Sequence, residues 1–512
     1  MNLFLIILLG TLLRLSYIVK PEGLWNDEYV SWSIATTNFQ DGFWHEILSQ
    51  CHMPLYYLYL KCFGDSELLL RLSSVIPSVA AIFVMFKVGE TKDKTTAYIL
   101  ALMTSISSFL IYYSQEVRFY SLLFLFSAIS LLFMLKYIIH YRKKDLIGYI
   151  ISSLLILFTH TIGFVYVFFT LLYILYKSNK KKIILTLGCI AIISALPLVY
   201  YIFTHVGTSQ WWGSFSYRNI IFMLTDFFSP VLTNNVNIPS YIIYNNNPFF
   251  ITKLFVPSLL VIGVIVYTLI KQRKLLNLFY ITLATTIVLA ITAVSGKFVF
   301  ITKYNIEILP ILLYIFSIGI TNCKKVLMYI ILSILVLFQL GNFLFPDYVT
   351  KLPRKEGNRI PIALLQKHKL SPNDKIIFTY YNADRFTKYI DLKPYNYISI
   401  DKANTTKIIT DSNKLTPEEY IYNREHIYRY LNSLINKEQR TFVIFLDSVA
   451  FFSDEILQKY ISSSDALIDI HPMYIESSVL KNEFIEYGKN NQLKVKFSRM
   501  GSWTLLILEE KD

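Results

Sequence analysis

The sequence of 512 residues is short of cysteine and of charge. Four cysteines are too few for a disulfide scaffold, and whether Cys51 and Cys62, which share a predicted loop, form a pair is left open. Charged residues make up 16%, against about 25% in a typical soluble domain. No internal repeat is visible, which argues against a transporter built from repeated halves. The first apolar segment lacks a basic start and a small-residue cleavage pattern, so it is predicted to be a retained anchor.

The sequence is instead rich in long apolar runs. Hydrophobic residues make up 54% of the chain, and its mean hydropathy is +0.45. A helix that spans a bilayer needs about 20 mostly apolar residues. The segments that fit lie near 2–19, 67–90, 95–113, 119–140, 146–159, 161–177, 183–204, 250–270, 275–294, 306–322 and 325–345. The sequence therefore predicts a polytopic α-helical membrane protein with about 11 transmembrane helices.

Positive charge is concentrated in alternate short loops. The formal net charge is +14, yet residues 346–512 carry 24 Lys+Arg and 22 Asp+Glu, so the excess lies in residues 1–345. Basic strings such as "RKK" (142–144), "KSNKKK" (177–182) and "KQRK" (271–274) alternate with loops poor in Lys and Arg. The positive-inside rule then predicts a cytoplasmic N-terminus and an extracytoplasmic C-terminal segment, in a multi-pass protein of the cell membrane. Basic loops at a membrane explain the charge without a nucleic-acid partner.

Apolar runs and net charge both change near residue 345, and this change predicts two domains. Residues 1–345 lie in the membrane, and residues 346–512 form a soluble extracytoplasmic α/β domain. In the latter, "DKIIFTYY" and "RTFVIFLD" are typical of buried strands, and "LKVKFSRMGSWTLLILEE" of two strands around a turn. Thr416, Pro417 and Glu419 predict the start of a helix, and "SDEILQKYISSS" predicts another.

Polar groups gather on the predicted exterior face at membrane depth. Asp27 and Glu28 lie between Trp25 and Trp32, where the first span ends. Ionisable groups near hydrocarbon are costly and tend to mark functional sites. The others on that face are His52 in "HMPLYY", Gln115, Glu116 and Arg118 in "YSQEVRFY", and Lys303 and Tyr304 in "ITKYNIEILP". Their convergence predicts a charged, wet site on one side of the membrane.

This ordered set of motifs resembles the membrane glycosyltransferases of the GT-C superfamily, in the branch of the protein O-mannosyltransferases and the lipid A aminoarabinose transferases. The pattern reads W-x-D-E-x-Y, H-x-P-L-Y-Y, R-L-x-S and Y-S-Q-E-x-R-x-Y, and it is carried by Trp25, Asp27, Glu28, Tyr29, His52, Pro54, Leu55, Tyr56, Tyr57, Arg71, Leu72, Ser74, Ser114, Gln115, Glu116, Arg118 and Tyr120. Lys303-Tyr304 matches a later basic-plus-Tyr pair, and the resemblance covers roughly residues 1–345. The chain departs from it at Met53, usually Pro in bacterial relatives, and at Lys303, commonly Arg.

The resemblance implies transfer of a sugar from a polyprenyl-phosphate carrier to an acceptor hydroxyl outside the cytoplasmic membrane, with the acceptor (lipid, glycan or protein) left open. Asp27 would be the general base of a single, inverting displacement, and Glu28 an orienting group. The leaving lipid phosphate needs positive charge, implied at Arg118 and Lys303 with Tyr304 and His52. Arg14 is a further phosphate-binding candidate, with snorkelling to headgroups as the alternative.

Supporting roles fall to Gln115, Glu116, Tyr120 and Tyr57, and His160 is predicted to be an ordinary loop histidine. No obligatory cofactor is predicted, and a divalent metal is left open because the spacing matches no known metal signature. The expected partners are the lipid-linked donor, membrane lipids and the acceptor. Three alternatives stay open: a flippase of lipid-linked sugars, a ligase or polymerase using a diphosphate-linked oligosaccharide, and a non-catalytic envelope assembly protein.

Overall fold

The computed structural model describes most of the chain. The described residues are 2–16, 18–19, 23–50, 52–178, single positions between 181 and 204, 217–229, 248–294, 300–344, 357–379, 383–400, 431–436, 438–446, 481, 483–500 and 503–510. They divide into two compact units. Of the described residues, the first unit holds 2–19, 30–229 and 248–344, and the second holds 23–29 and 357–510.

Helices build the first unit. In chain order they are α1 (Leu3–Leu15), α2 (Asn26–Thr36, which begins in the second unit), α3 (Phe43–Ser49), α4 (Pro54–Leu60), α5 (Glu67–Glu90), α6 (Lys94–Ile106), α7 (Ser108–Ser114), α8 (Tyr120–His140), α9 (Lys143–Thr159) and α10 (Gly163–Lys177). Further helices are Tyr217–Phe228, Pro248–Lys271, Leu276–Val294, Leu309–Thr321 and Lys325–Leu344, and 3₁₀ turns lie at Lys61–Phe63, Arg273–Leu275 and Thr302–Ile308. Their sequences are apolar, and in the hydrocarbon of a membrane a helix satisfies its backbone hydrogen bonds within one segment.

Helix ends coincide with residues suited to them. Asp93 caps α6 by accepting a hydrogen bond from the backbone N–H of Thr96, and Pro54 occupies the first turn of α4. At Ser107 the chain bends by 55° between α6 and α7, and the Ser107 hydroxyl caps the new helix at Leu110 N–H. A segment predicted as one span near 95–113 is therefore a broken helix.

Gln339 satisfies backbone groups at two helix ends. Its Oε1 accepts a hydrogen bond from Ser108 N–H at 2.9 Å, at the start of α7. Its Nε2 donates to the carbonyl oxygen of Phe228 at 2.8 Å, at the end of the helix Tyr217–Phe228. Gln339 is 2% exposed, so water is not available to replace it as the partner of Ser108 N–H or of the Phe228 carbonyl oxygen. One buried amide thus stabilises two helix ends.

Four helical segments of the described residues are long and apolar enough to span a membrane, and five if the bent pair counts as one span. They are Glu67–Glu90, Tyr120–His140, Arg273–Val294 and Thr302–Thr321, with Lys94–Ile106 and Ser108–Ser114 as the pair. The predicted segments near 2–19, 161–177, 250–270 and 325–345 correspond to shorter apolar helices within the described residues, and the one near 146–159 corresponds to α9. The segment near 183–204 falls largely outside the described residues. The number of eleven stays a prediction. The stretch 205–249, which separates two of the predicted spans, contains the helix Tyr217–Phe228.

A five-stranded sheet forms the centre of the second unit. Its strands are β1 (Lys375–Phe378), β2 (Asn396–Ser399), β3 (Thr441–Leu446), β4 (Lys494–Met500) and β5 (Trp503–Glu509), in the spatial order β2-β1-β3-β5-β4. β1 is parallel to β2 and β3, and β5 is antiparallel to β3 and β4. All but β2 coincide with segments predicted as strands. The helix predicted from Thr416 and the one in "SDEILQKYISSS" lie largely or wholly outside the described residues.

Both faces of this sheet are covered. Side chains alternate along a strand, so Phe442 and Ile444 of β3 face one core while Val443 and Phe445 face the other. The helix Arg359–Gln366 contributes to the first core. Continuous apolar strands such as "TFVIFL" are expected where both faces are buried.

Candidate active site

The side chain of Glu28 caps the start of α2. Its carboxylate accepts a hydrogen bond at 3.2 Å from the backbone N–H of Trp25, the residue that precedes the helix. This is one half of a capping box, in which the third helical residue reaches back to the N-cap. Glu28 is 1% exposed, whereas Asp27, one position earlier, is half-buried. Both carboxylates lie in the first turn, where the helix dipole favours negative charge.

Residues 23–29 are fastened within the second unit. Leu24 N–H donates to the hydroxyl of Tyr389 at 2.8 Å, and its carbonyl oxygen accepts from Asn358 N–H at 2.9 Å. The hydroxyl of Tyr29 donates to the carbonyl oxygen of Asp384 at 2.6 Å. Three hydrogen bonds, formed with residues more than 300 positions away, therefore hold the segment that carries Asp27.

Gly23 permits this approach. Its φ of +78° lies in the left-handed region that side chains disfavour. A Cβ here would lie 2.6 Å from the hydroxyl oxygen of Tyr389 and 2.9 Å from the Cβ of Arg359. Any larger residue at position 23 would meet both a backbone penalty and a collision.

In the first unit, the "YSQEVRFY" motif forms a buried turn between α7 and α8. Gln115, Glu116 and Arg118 are all 5% exposed or less. The hydroxyl of Ser74 on α5 donates to the carbonyl oxygens of Glu116 and Arg118. Gln115 Nε2 donates to the carbonyl oxygen of Arg14 at 3.1 Å, at the end of α1. Ser74, from the R-L-x-S motif, thus supports the backbone of the next motif.

Aromatic rings surround the cations of this unit. The Arg118 guanidinium lies 5.3 Å from the ring centre of Phe119, and its Nη1 donates to the Ser31 hydroxyl at 3.3 Å. Lys303 Nζ lies 5.5 Å from the ring centres of both Tyr120 and Tyr304. Rings hold a cation through their quadrupole without cancelling its charge. Such an arrangement suits the binding of an anion.

His52 pairs with Tyr57 of α4. His52 Nδ1 and the Tyr57 hydroxyl share a hydrogen bond, and the two rings are stacked with centres 5.5 Å apart. The Pro54 helix start places Tyr57 one turn along, so the "HMPLYY" motif folds back on itself. His52 is half-buried and Tyr57 is fully buried.

His160, predicted to be an ordinary loop residue, belongs to this cluster. Its ring packs against Phe119, with ring centres 4.2 Å apart, and against Tyr304, with ring centres 5.5 Å apart. Burial lowers the pKa of its imidazole well below the ordinary value, and the fields of His52, Arg118 and Lys303 act in the same direction. The group is therefore neutral near pH 7. The sequence signal was only a His in a short "THTIG" turn, which does not reveal its neighbours.

Asp226 was also missed, because it lies between two predicted spans. It is fully buried, and its Oδ2 accepts a hydrogen bond from the hydroxyl of Thr302 at 3.0 Å. Thr302 opens the 3₁₀ turn that carries Lys303 and Tyr304. Asp226 therefore positions the backbone next to the lysine. A carboxylate within the apolar run "IIFMLTDFF" was the available signal.

Arg14 is bound within the helix bundle. Its Nε donates to the Ser78 hydroxyl at 2.7 Å, and its Nη atoms donate to the carbonyl oxygens of Gly10, Ser105 and Thr104 at 2.9–3.0 Å. The residue is 0% exposed. These bonds join α1 to α5 and α6, and we assign Arg14 to helix packing and omit it from the site proposed below.

The predicted site residues fall into two groups. Asp27 and Glu28 belong to the second unit, and the first unit holds His52, Tyr57, Gln115, Glu116, Arg118, Tyr120, Lys303, Tyr304 and Arg14. Within the first unit, His52, Arg118 and Lys303 converge on His160. Across the residues that the structure describes, no group of three or more His, Cys, Asp or Glu side chains is arranged to hold a metal ion.

Comparison with known proteins identifies a family match and a shared fold. Residues 55–201 match the family model of dolichyl-phosphate-mannose-protein mannosyltransferases. No curated protein sequence matches the chain.

Among solved structures, the fold is similar to that of ArnT from Cupriavidus metallidurans. The form bound to undecaprenyl phosphate is 10% identical, with a TM-score of 0.50, and the apo form is 11% identical, with a TM-score of 0.51. Each match covers 98% of this chain and 97% of the other. An oligosaccharyltransferase from Archaeoglobus fulgidus is 11% identical, with a TM-score of 0.45, over 86% of this chain and 68% of that one. The shared fold and the family match agree with the motifs quoted above.

Proposed function

We propose that this chain, a membrane glycosyltransferase of the GT-C type, moves a sugar from a polyprenyl-phosphate carrier to an acceptor hydroxyl on the extracytoplasmic face of the cell membrane. The observation that carries the proposal is the pair of cations, Arg118 and Lys303, held over aromatic rings around a neutral His160. A protein of the same fold has been solved with undecaprenyl phosphate bound, which supports a lipid phosphate as the ligand.

Arg118 and Lys303 bind the phosphate in this proposal. When the bond between the sugar and the phosphate breaks, negative charge grows on the phosphate oxygens. Preformed positive charge in a site that excludes water stabilises this change strongly. Arg118 is 5% exposed and Lys303 is 7% exposed, so both act in such surroundings. Tyr304 and His52 complete the phosphate site, with Tyr120 and Tyr57 behind them.

Asp27 is the proposed general base. An acceptor hydroxyl is a weak nucleophile, and a carboxylate must take its proton as the new bond to the anomeric carbon forms. Asp27 is half-buried and lies in the first turn of α2. Glu28 fixes the start of that helix through Trp25, which is the orienting role predicted for it.

The reaction would proceed by a single displacement with inversion. A retaining mechanism requires a second carboxylate that attacks the sugar from the opposite side. Glu28 is buried and its side chain caps α2, so it is poorly suited to that attack. The oxygen that leaves with the lipid is a phosphate oxygen of low basicity, so it needs no proton donor.

The test is sugar transfer from polyprenyl-phosphate sugars by purified protein in liposomes, with wild type beside Asp27→Asn. Asn keeps the shape and removes the base, so we expect transfer to fall by roughly 100-fold or more while donor binding is retained. Asp41→Asn is a matched control, since Asp41 bonds to Asn38 in an exposed turn. Equal transfer rates for wild type and Asp27→Asn would refute the role of Asp27. Movement of labelled lipid across the bilayer without transfer would favour a flippase instead.

A further inference from the structure

His160 is held in one orientation by contacts on several sides. Its backbone N–H donates to the carbonyl oxygen of Ile156 at 3.1 Å, and its own carbonyl oxygen accepts from Gly163 N–H at 3.1 Å. The rings of Phe119 and Tyr304 pack against the imidazole, with interplanar angles of 31° and 24°. These contacts favour one orientation of the imidazole.

One ring nitrogen of His160 is already engaged. Nδ1 accepts a hydrogen bond at 3.2 Å from the backbone N–H of Ile162. An acceptor nitrogen carries no proton, so the neutral ring has its proton on Nε2. Among the described residues none accepts a hydrogen bond from Nε2, and the side chain is only half-buried. A donor group is thus fixed in place and accessible.

The surroundings of that donor select an anion. The positive charges of Arg118 and Lys303 act on His160 and add to the effect of burial in disfavouring its charged form. Each of them contacts an aromatic residue that also contacts the histidine: Arg118 contacts Phe119, and Lys303 contacts Tyr304. A ligand oxygen that both cations attract also comes within reach of the imidazole. A neutral N–H can donate there without adding a third charge to the repulsion between the cations.

We propose that the Nε2–H of His160 donates a hydrogen bond to a phosphate oxygen of the ligand that Arg118 and Lys303 bind. This inference rests on the proposed function, which supplies the phosphate. His160 is then a substrate-binding residue that accepts no proton during the reaction. Its aromatic enclosure keeps the N–H aimed at the phosphate, and the Ile162 contact keeps the proton on Nε2.

The experiment measures the Kd of undecaprenyl phosphate for the purified full chain in detergent, with wild type beside two opposed variants. His160→Phe keeps a ring between Phe119 and Tyr304 but removes the donor. His160→Gln loses the ring but places an amide N–H near the position of Nε2. Hydrogen bonds to charged groups contribute enough for the Kd to rise roughly tenfold or more in His160→Phe. We expect His160→Gln to stay within about threefold of wild type by the same reasoning.

Controls separate this inference from the proposed function. His140→Phe replaces an exposed histidine at the end of α8 and should leave the Kd unchanged. If wild type fails to bind undecaprenyl phosphate, the proposed function and the inference both fall. If wild type binds and His160→Phe binds equally well, or His160→Gln is as weak as His160→Phe, only the inference is overturned. If His160→Phe fails to fold, the Kd values of His160→Gln and His160→Asn are compared instead. Asn is too short to place an N–H at the position of Nε2, so His160→Asn should bind more weakly than His160→Gln.

The same Kd measurement with inorganic phosphate and with phosphatidylglycerol shows which kind of phosphate the site prefers. If undecaprenyl phosphate binds tightly, the other two compounds do not, and its affinity falls in His160→Phe, the result supports a lipid carrier phosphate as the ligand. If all three bind with the same loss, the hydrogen bond to phosphate stands, and carrier selectivity is refuted.

Discussion

The hydroxyl of Ser74 donates a hydrogen bond to the carbonyl oxygen of Arg118 at 3.2 Å. It joins two motifs that are 44 residues apart in the chain. The backbone of Arg118 is therefore fixed from α5, and its guanidinium can be aimed from a rigid base. A binding site needs this kind of support, because a misplacement of about 1 Å can cost two orders of magnitude in rate.

Ser74→Ala tests that support. We expect donor affinity to fall, with a loss of about 1–3 kcal/mol of stability, because the buried carbonyl oxygen of Arg118 loses the Ser74 hydroxyl while that of Glu116 keeps only the N–H of Arg118. Ser73→Ala is the matched control: Ser73 is equally buried on the same helix, but its hydroxyl bonds only to the carbonyl oxygen of Leu70 in the preceding turn. Donor titration and thermal unfolding in detergent measure both effects. Equal losses in the two variants would contradict a specific role for Ser74.

Lys303→Met tests the charge beside Tyr120 and Tyr304. The Kd for undecaprenyl phosphate should rise about tenfold or more, because a charge-assisted contact to phosphate is lost. Lys303→Arg should recover most of the affinity, since it keeps the charge. Lys87→Met is the control: Lys87 also lies near two aromatic rings, but it pairs with Glu90 on an exposed surface. An unchanged Kd in Lys303→Met would remove Lys303 from the phosphate site.

Gln339→Leu tests the two helix ends that one amide satisfies. Removing it leaves Ser108 N–H and Phe228 C=O buried without their partner, which should cost about 2–5 kcal/mol of stability. The measurement is the thermal midpoint of unfolding in a fixed detergent. Ser333→Ala, an exposed position on the same helix, should leave the midpoint unchanged. A midpoint for Gln339→Leu equal to that of wild type would show that other groups satisfy these ends.

Gly23→Ala tests the attachment of residues 23–29 within the second unit. Gly64→Ala is a natural comparison, because Gly64 has a similar φ of +70° but open space around its Cβ position. Both variants carry a backbone cost of about 1–2 kcal/mol, and only Gly23→Ala adds the collision with Tyr389 and Arg359. We expect faster amide hydrogen exchange at residues 23–29 in Gly23→Ala alone. Unchanged exchange there would refute the close contact.

His160 makes stability depend on pH. The pKa of its imidazole is lowered in the folded protein, so below about pH 6.5 the unfolded chain takes up a proton that the folded chain refuses. Stability from this group is therefore complete above pH 6.5 and decreases as the pH falls below it. In unfolding titrations between pH 5 and 8, His160→Phe should lose less stability on acidification than wild type. Parallel curves for the two proteins would contradict a neutral His160.

Local sequence patterns were sufficient for the helices and for most strands. Apolar runs such as Glu67–Glu90 and Tyr120–His140 correspond closely to predicted spans, because helix satisfies backbone groups within one segment. The strands β1, β3 and β5 likewise follow apolar runs that include β-branched and aromatic residues, and β4 follows the alternation of polar and apolar residues in "KVKFSRM". The break at Ser107 was not predicted, since Gln339, which accepts the hydrogen bond from Ser108 N–H there, lies more than 200 residues away.

The candidate site residues were chosen from the sequence alone, since carboxylates and cations in an apolar sequence are costly and tend to mark sites; their roles stay predictions. What those residues contact was decided by tertiary structure. It gave Arg14 to helix packing, joined Asp27 and Glu28 to a unit built from residues far along the chain, and placed His160 against Phe119 and Tyr304. The physical reason is that residue type and period report only local preferences. Hydrogen bonds and ring contacts between distant segments depend on how the helices pack.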